Sequence, residues 1–161
     1  MIFHASIPAD DPERVARVIA ELWRGEYLPF IFPQTFIVFA NDDRASEVEI
    51  GPRGHVLIPA NGQVGSQFNA SSSPYSEVHL NIATPLSLED ALAIAEREGW
   101  AARLCDRGGD FTVIEFWLEN KFMLELMTEL ELKRYRNVTS VVWRARIAQG
   151  QQTLPVSSMS S

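Results

Sequence analysis

Apolar and polar positions alternate in two stretches of the chain. In "IFHASIP", Phe3, Ala5 and Ile7 fall on one side and His4 and Ser6 on the other. In "SEVHLNIAT", residues 76–84, Val78, Leu80 and Ile82 oppose His79 and Asn81. A period of two predicts a strand with one buried face. Each stretch leads into a segment of helical period. After the first, Asp10 or Asp11 suits the N-cap and Pro12 the first turn, while Val15, Val18, Ile19, Leu22 and Trp23 share a face and Gly25 ends the segment. After the second, Ser87 and Asp90 stand at capping-box spacing, Leu88, Ala91, Leu92 and Ala95 form the apolar stripe, and Gly99 is the stop.

Strands follow both helices. "YLPFIFPQTFIVFAN" is apolar and rich in aromatic and β-branched residues, but prolines break it, so it predicts one or two strands ending near Asn41. "SEVEIGPRG" predicts another, closed by a turn. In the second half, "AARLCDRGGDFTVIEFWL" predicts a hairpin turning at Gly108–Gly109, and "ENKFMLELMTE" a last strand with Asn120 and Lys121 in the turn before it. The pattern divides the chain into a first module over 1–58 and a second over 76–128. Residues 59–75, "PANGQVGSQFNASSSPY", carry no core pattern and read as a linker or loop. Residues 129–148 form a C-terminal extension, in which "NVTSVVWRARI" predicts an added strand, and 149–161 read as a disordered tail.

The two halves also repeat their chemistry. Aligned on their opening strands, His4 falls on His79. From His4 to Glu49 is 45 residues and from His79 to Glu125 is 46. In "EVEI" Val48 and Ile50 oppose Glu49, and in "FMLEL" Leu124 and Leu126 oppose Glu125. Each half thus offers its helix an apolar face and keeps a second face bearing a His and a Glu. Two such faces brought together would supply two imidazoles and two carboxylates, a donor set suited to one divalent transition metal: Ni, Zn, Co, Mn or Fe. Glu47 shares the face of Glu49 and is its alternative; spacing favours Glu49. Ser6, Asn81, Glu115, Trp117, Met123 and Met127 are further candidates for lining that face, with packing roles as the alternative. His55, after Pro52 and Gly54, reads as a solvated turn residue.

Composition narrows the function classes. The chain has 161 residues, 46% of them hydrophobic, enough for one packed domain or two small modules. The net charge of −7 and the absence of a basic face argue against nucleic acid as a partner. Lys133, Arg134, Arg136, Arg144 and Arg146 lie among acidic residues and read as surface. Cys105, the only cysteine, excludes an intramolecular disulfide or a cysteine-built zinc site and reads as a small residue on or near a strand. No apolar run approaches the ~20 residues of a membrane span. "MIFHASIPADD" has no signal-peptide pattern. The expected location is the cytoplasm.

The order His, Glu, His, Glu in "IFHASIPADDPERVA", "EVEI", "EVHLNI" and "FMLEL" resembles the vicinal oxygen chelate superfamily, with its glyoxalase/bleomycin-resistance/dioxygenase fold, and glyoxalase I in particular. The resemblance covers about residues 2–128. It implies an α+β fold of paired βαβββ modules whose curved sheets enclose a metal held by His4, Glu49, His79 and Glu125. It implies a metal-dependent isomerase or lyase acting on a small α-oxo or α-hydroxy carbonyl compound, with Glu125, or alternatively Glu49, moving the proton. A homodimer with a small-molecule substrate is the expected assembly. Two other functions use the same fold: a non-catalytic small-molecule-binding protein of the bleomycin-resistance type, and a metal-dependent dioxygenase. "LENKF" replaces the "DPxG" turn common before the last strand, "ELWRGEY" replaces the usual helix ending, and the basic residues that hold glutathione have no counterpart.

Overall fold

In a computed structural model the described residues are 4–30, 32–43, 46–60, 63–68, 76 and 78–138. They fall into two compact units. The first takes the described residues up to 78 together with Leu118–Phe122; the second takes 79–117 and the described residues from Met123 onward.

The first module runs β1 (His4–Ala9), α1 (Pro12–Trp23), β2 (Glu26–Pro29), β3 (Phe36–Phe39) and β4 (Glu47–Pro52). Its sheet has the order β1-β4-β3-β2, with β1 parallel to β4 and the other neighbours antiparallel. α1 starts as predicted: the Asp11 side chain accepts from the Arg14 amide at 3.1 Å, and Pro12 occupies the first turn, where its missing N–H costs nothing. Val15, Val18, Ile19, Leu22 and Trp23 are buried, joined by Ile7, Val38, Val48 and Ile50 from the strands. The helix stop differs from expectation. Arg24 takes the left-handed conformation, at φ 49°, and Gly25 follows it, donating to the Ala20 carbonyl at 2.8 Å. Gly25 is needed for space instead: a Cβ there would lie 2.0 Å from the Phe39 carbonyl oxygen.

The second module repeats this plan. β7 (Leu80–Ala83), α2 (Leu88–Glu98), β8 (Ala102–Asp106), β9 (Thr112–Leu118) and β10 (Phe122–Met127) form a sheet of order β7-β10-β9-β8, with β7 parallel to β10. Both predicted caps of α2 form: Ser87 accepts from the Asp90 amide at 3.1 Å, and Gly99 is left-handed at φ 72°. Its buried stripe is Ala91, Ile94 and Ala95; Leu88 and Leu92 are only half-buried. Val78, expected on the buried face, precedes β7 and is 61% exposed. β9 and β10 join through Glu119 and Asn120, both at positive φ, with Lys121 N–H donating to the Leu118 carbonyl at 2.9 Å. Two successive left-handed residues closed by that bond make the tight turn whose twist matches a hairpin.

Two segments depart from expectation. Within the expected 59–75 linker, Gln63–Phe68 forms β6, paired antiparallel with β5 (His55–Ala60) in a two-stranded sheet. Such a ribbon is held by backbone hydrogen bonds and leaves no core period to read. His55 opens β5 and is exposed. In the expected extension, Glu129–Asn137 is a helix, α3, and Val138 is its C-cap, so the expected strand does not begin at Asn137. Glu129 and Glu131 in its first turn and Arg134 and Arg136 in its last complement the helix dipole, and Lys133 bonds Glu129 one turn back at 2.8 Å. Residues 139–161, which include the rest of that strand and the expected tail, lie outside the described residues. No helix among the described residues is long and apolar enough to cross a membrane.

Candidate metal and substrate site

Neighbouring residues across a ladder share a face, so strand register decides which side chains can meet. In the first unit His4 is opposite Glu47 and Ser6 is opposite Glu49. The His4 Nδ1 lies 3.7 Å from Glu47 Oε1, and the Ser6 hydroxyl donates to Glu49 Oε2 at 2.8 Å. His4 is 53% exposed and Glu47 28%. The face opposite α1 therefore carries an accessible imidazole beside two carboxylates, and the nearer of the two is Glu47.

The second unit repeats the register. Asn81 is opposite Glu125, as Ser6 is opposite Glu49. His79, like His4, stands two residues before that partner. The Asn81 amide donates to Glu125 Oε2 at 3.2 Å, and His79 Nε2 lies 3.9 Å from the same oxygen. The strand that aligned His4 with His79 thus also aligns Glu49 with Glu125, and Met123 occupies the position corresponding to Glu47. Imidazole nitrogen beside carboxylate oxygen is the donor chemistry of a divalent transition metal. Among the described residues, which include His4, Glu47, Glu49, His79 and Glu125, no group of three or more His, Cys, Asp or Glu side chains able to hold a metal is gathered.

The face around Glu125 contains two cations that sequence reasoning missed. One guanidinium nitrogen of Arg107, Nη2, donates to Glu125 Oε1 at 2.6 Å and to Glu115 Oε1 at 2.9 Å. Arg103, opposite Glu115 in the β8–β9 register, binds the other Glu115 oxygen through Nε at 2.8 Å and Nη2 at 2.7 Å. Burial pushes the Glu115 carboxyl up, but the hydrogen bonds from Arg107 and Arg103 outweigh it and hold the group below its ordinary range. Burial likewise opposes the charge of Arg107, and its bonds to Glu125 and Glu115 more than restore it. The signal was present in "RLCDR": Arg103 and Arg107 are four residues apart, hence on one strand face, and that parity meets Glu115 across the hairpin.

α3 covers one end of this face. Phe111, Val113 and Met127 are buried in a cluster against which Cys105, Leu132 and Tyr135 pack, with the Phe111 and Tyr135 rings edge to face at 5.1 Å. Met127 is therefore a core residue, and so, in part, is Cys105. Glu131 is buried beside them and accepts from the Thr112 amide at 2.7 Å and from Arg134 at 2.8 Å, which pins α3 to β9. Trp117 and Met123, on the same face, are half-buried.

Two α+β modules of equivalent strand order, each a crossover helix on a mixed four-stranded sheet, give the glyoxalase/bleomycin-resistance/dioxygenase fold. Solved structures agree. The fosfomycin resistance protein FosX from Mesorhizobium loti is similar over 84% of this chain and 97% of its own, at 15% identity and a TM-score of 0.53. FosX from Listeria monocytogenes, complexed with Mn(II) and sulfate ion, is similar over 84% and 97%, at 12% identity and a TM-score of 0.54. An integron cassette protein from the mobile metagenome of V. cholerae is similar over 80% and 94%, at 13% identity and a TM-score of 0.50. No family model and no curated protein sequence matches the chain.

Proposed function

We propose that this chain is a metal-dependent enzyme of the vicinal oxygen chelate type, acting on a small substrate that presents two adjacent oxygens. The observation that carries this reading is the repeated register: in each module a His stands two residues before the strand partner of a Glu, on the face left uncovered by the module's crossover helix. His4, Glu49, His79 and Glu125 are the proposed ligands, with Glu47 replacing Glu49 if proximity to His4 decides. The FosX neighbour with Mn(II) supports a divalent metal; Ni, Zn, Co and Fe fit the same donors.

A bound divalent metal would supply Lewis-acid stabilisation of negative charge on the substrate oxygens. The protein's own part is to hold the substrate and move a proton. For an isomerase or lyase of the glyoxalase I type, a carboxylate takes a proton from the carbon beside the carbonyl and returns it to its neighbour. Contacts favour Glu49 for that role. Glu125 is engaged on both oxygens, by a guanidinium and an amide, and is thereby held in place, whereas a proton-carrying carboxylate has to reach two neighbouring substrate carbons. Among the described residues Glu49 accepts a side-chain hydrogen bond only from Ser6. Ser6 and Asn81 orient the two carboxylates.

That Glu125 already has a cationic partner favours a second reading, a small-molecule-binding protein with no metal. Elemental analysis of the purified protein after reconstitution, beside a His79→Ala variant, separates the two. About one equivalent of metal per chain, lost in the variant, is expected for the enzyme. No uptake by the wild-type protein would overturn it.

A further inference from the structure

Arg103, Glu115, Arg107 and Glu125 form a chain of alternating charge on one face of the second unit, with every link between 2.6 and 2.9 Å. Two guanidinium charges balance two carboxylates. If Glu125 is a metal ligand, as proposed above, that balance is lost on loading. A dication and the Arg107 guanidinium then compete for the same carboxylate, and the chain of four gains two positive charges. Arg103 is 70% exposed and can be compensated by water, whereas Arg107 is 19% exposed. A charge so placed, deprived of one of its partners, is costly unless another anion replaces it.

Glu115 determines what Arg107 can do next. It is itself buried, and Arg103 fixes its second oxygen, so it stays in place whether or not Glu125 is engaged. Arg107 follows the last residue of β8, and its backbone N–H donates to the Phe111 carbonyl at 2.9 Å, so the main chain is anchored and only the long side chain has to move. Arg107 can therefore keep its bond to Glu115 while releasing Glu125.

We propose that Arg107 is the internal counter-cation of Glu125 in the metal-free protein, and that metal loading transfers this guanidinium to an anionic group of the substrate. The substrate is then a small anion, a carboxylate, phosphate or phosphonate, carrying the adjacent oxygens already inferred. Arg107 is a specificity-determining residue, and Glu115 is the residue that positions it. Metal and anion must then bind cooperatively, each raising the affinity for the other by the same factor.

The experiment is a calorimetric titration of Mn(II) into the full-length protein with and without inorganic phosphate, repeated on Arg107→Gln, Arg107→Lys and Glu115→Gln. In the wild type, phosphate is expected to tighten Mn(II) binding about tenfold. Arg107→Gln is expected to bind Mn(II) about tenfold more tightly than wild type without phosphate and to lose the phosphate effect. Arg107→Lys should retain part of both effects, and Glu115→Gln should lose the phosphate effect. Uptake of Mn(II) by Arg107→Gln but not by the wild type, with or without phosphate, would make Arg107 a block on the site and overturn the exchange. Unchanged Mn(II) affinity in Arg107→Gln, or an undiminished phosphate effect in it, would overturn the exchange while leaving the metal-enzyme reading intact. Binding to neither protein would overturn both.

Discussion

Replacing Glu119 by alanine should destabilise the first unit although Glu119 belongs to a turn. Its two carboxylate oxygens accept from the backbone amides of Asp10 and Asp11, both at 2.7 Å, where α1 begins, and Arg53 lies 3.5 Å away. Hydrogen bonds to a charged group contribute about 1.5–3 kcal/mol each, and a carboxylate at a helix N-terminus adds about 0.3–1 kcal/mol. Asp10 and Asp11 are exposed, so their amides regain water in the variant and part of that sum is recovered. A net loss of about 2–3 kcal/mol is expected, which for a chain of this size lowers the melting temperature by roughly 5–10 °C. A companion variant tests the cause. Glu119 is held at φ 52°, a conformation that costs a residue with a Cβ about 1 kcal/mol, so Glu119→Gly should be more stable than Glu119→Ala by about that amount. Urea unfolding followed by circular dichroism measures both. An alanine variant within about 0.5 kcal/mol of wild type, the scatter expected of an ordinary surface change, would refute the capping role, and a glycine variant less stable than alanine would refute the strain.

Gly25→Ala should cost about 3 kcal/mol or more, because the added Cβ meets the rigid Phe39 carbonyl and not a side chain that could move; the urea midpoint reports it. Met127→Ala should lose about 2–5 kcal/mol and loosen α3, seen as faster hydrogen exchange across Glu129–Asn137 than at α2. The acid limb of stability should depend on Asp10. Its bond to Lys121 holds the carboxyl below its ordinary 3.8, burial opposes this, and Arg53, donating at 2.6 Å, adds to it. A lowered folded value means stability that is present above the unfolded value and lost as the pH falls through the folded one. Unfolding should therefore become easier below about pH 4, and Asp10→Asn should flatten that decline while lowering stability at pH 7.

The sequence by itself determined the repeated strand–helix–strands plan, both N-caps, the hairpin at Gly108–Gly109 and the equivalence of His4 with His79 and of Glu49 with Glu125. These are local or periodic properties, set by which face of a strand or helix is apolar and by which residues can satisfy free backbone groups. Tertiary structure decided the partners. Parallel pairing of β1 with β4 put Glu47, not Glu49, opposite His4, because register between strands some 43 residues apart is fixed by packing and not by spacing. It also made a strand of Gln63–Phe68 and a helix of Glu129–Asn137, the first held by a neighbouring backbone and the second by docking of Leu132 and Tyr135. Above all it brought Arg107 onto Glu125, an ion pair between residues 18 apart that no period of two or of 3.6 records. Charges are recognised by distance in space, and a hairpin turn followed by a second turn is what makes that distance short.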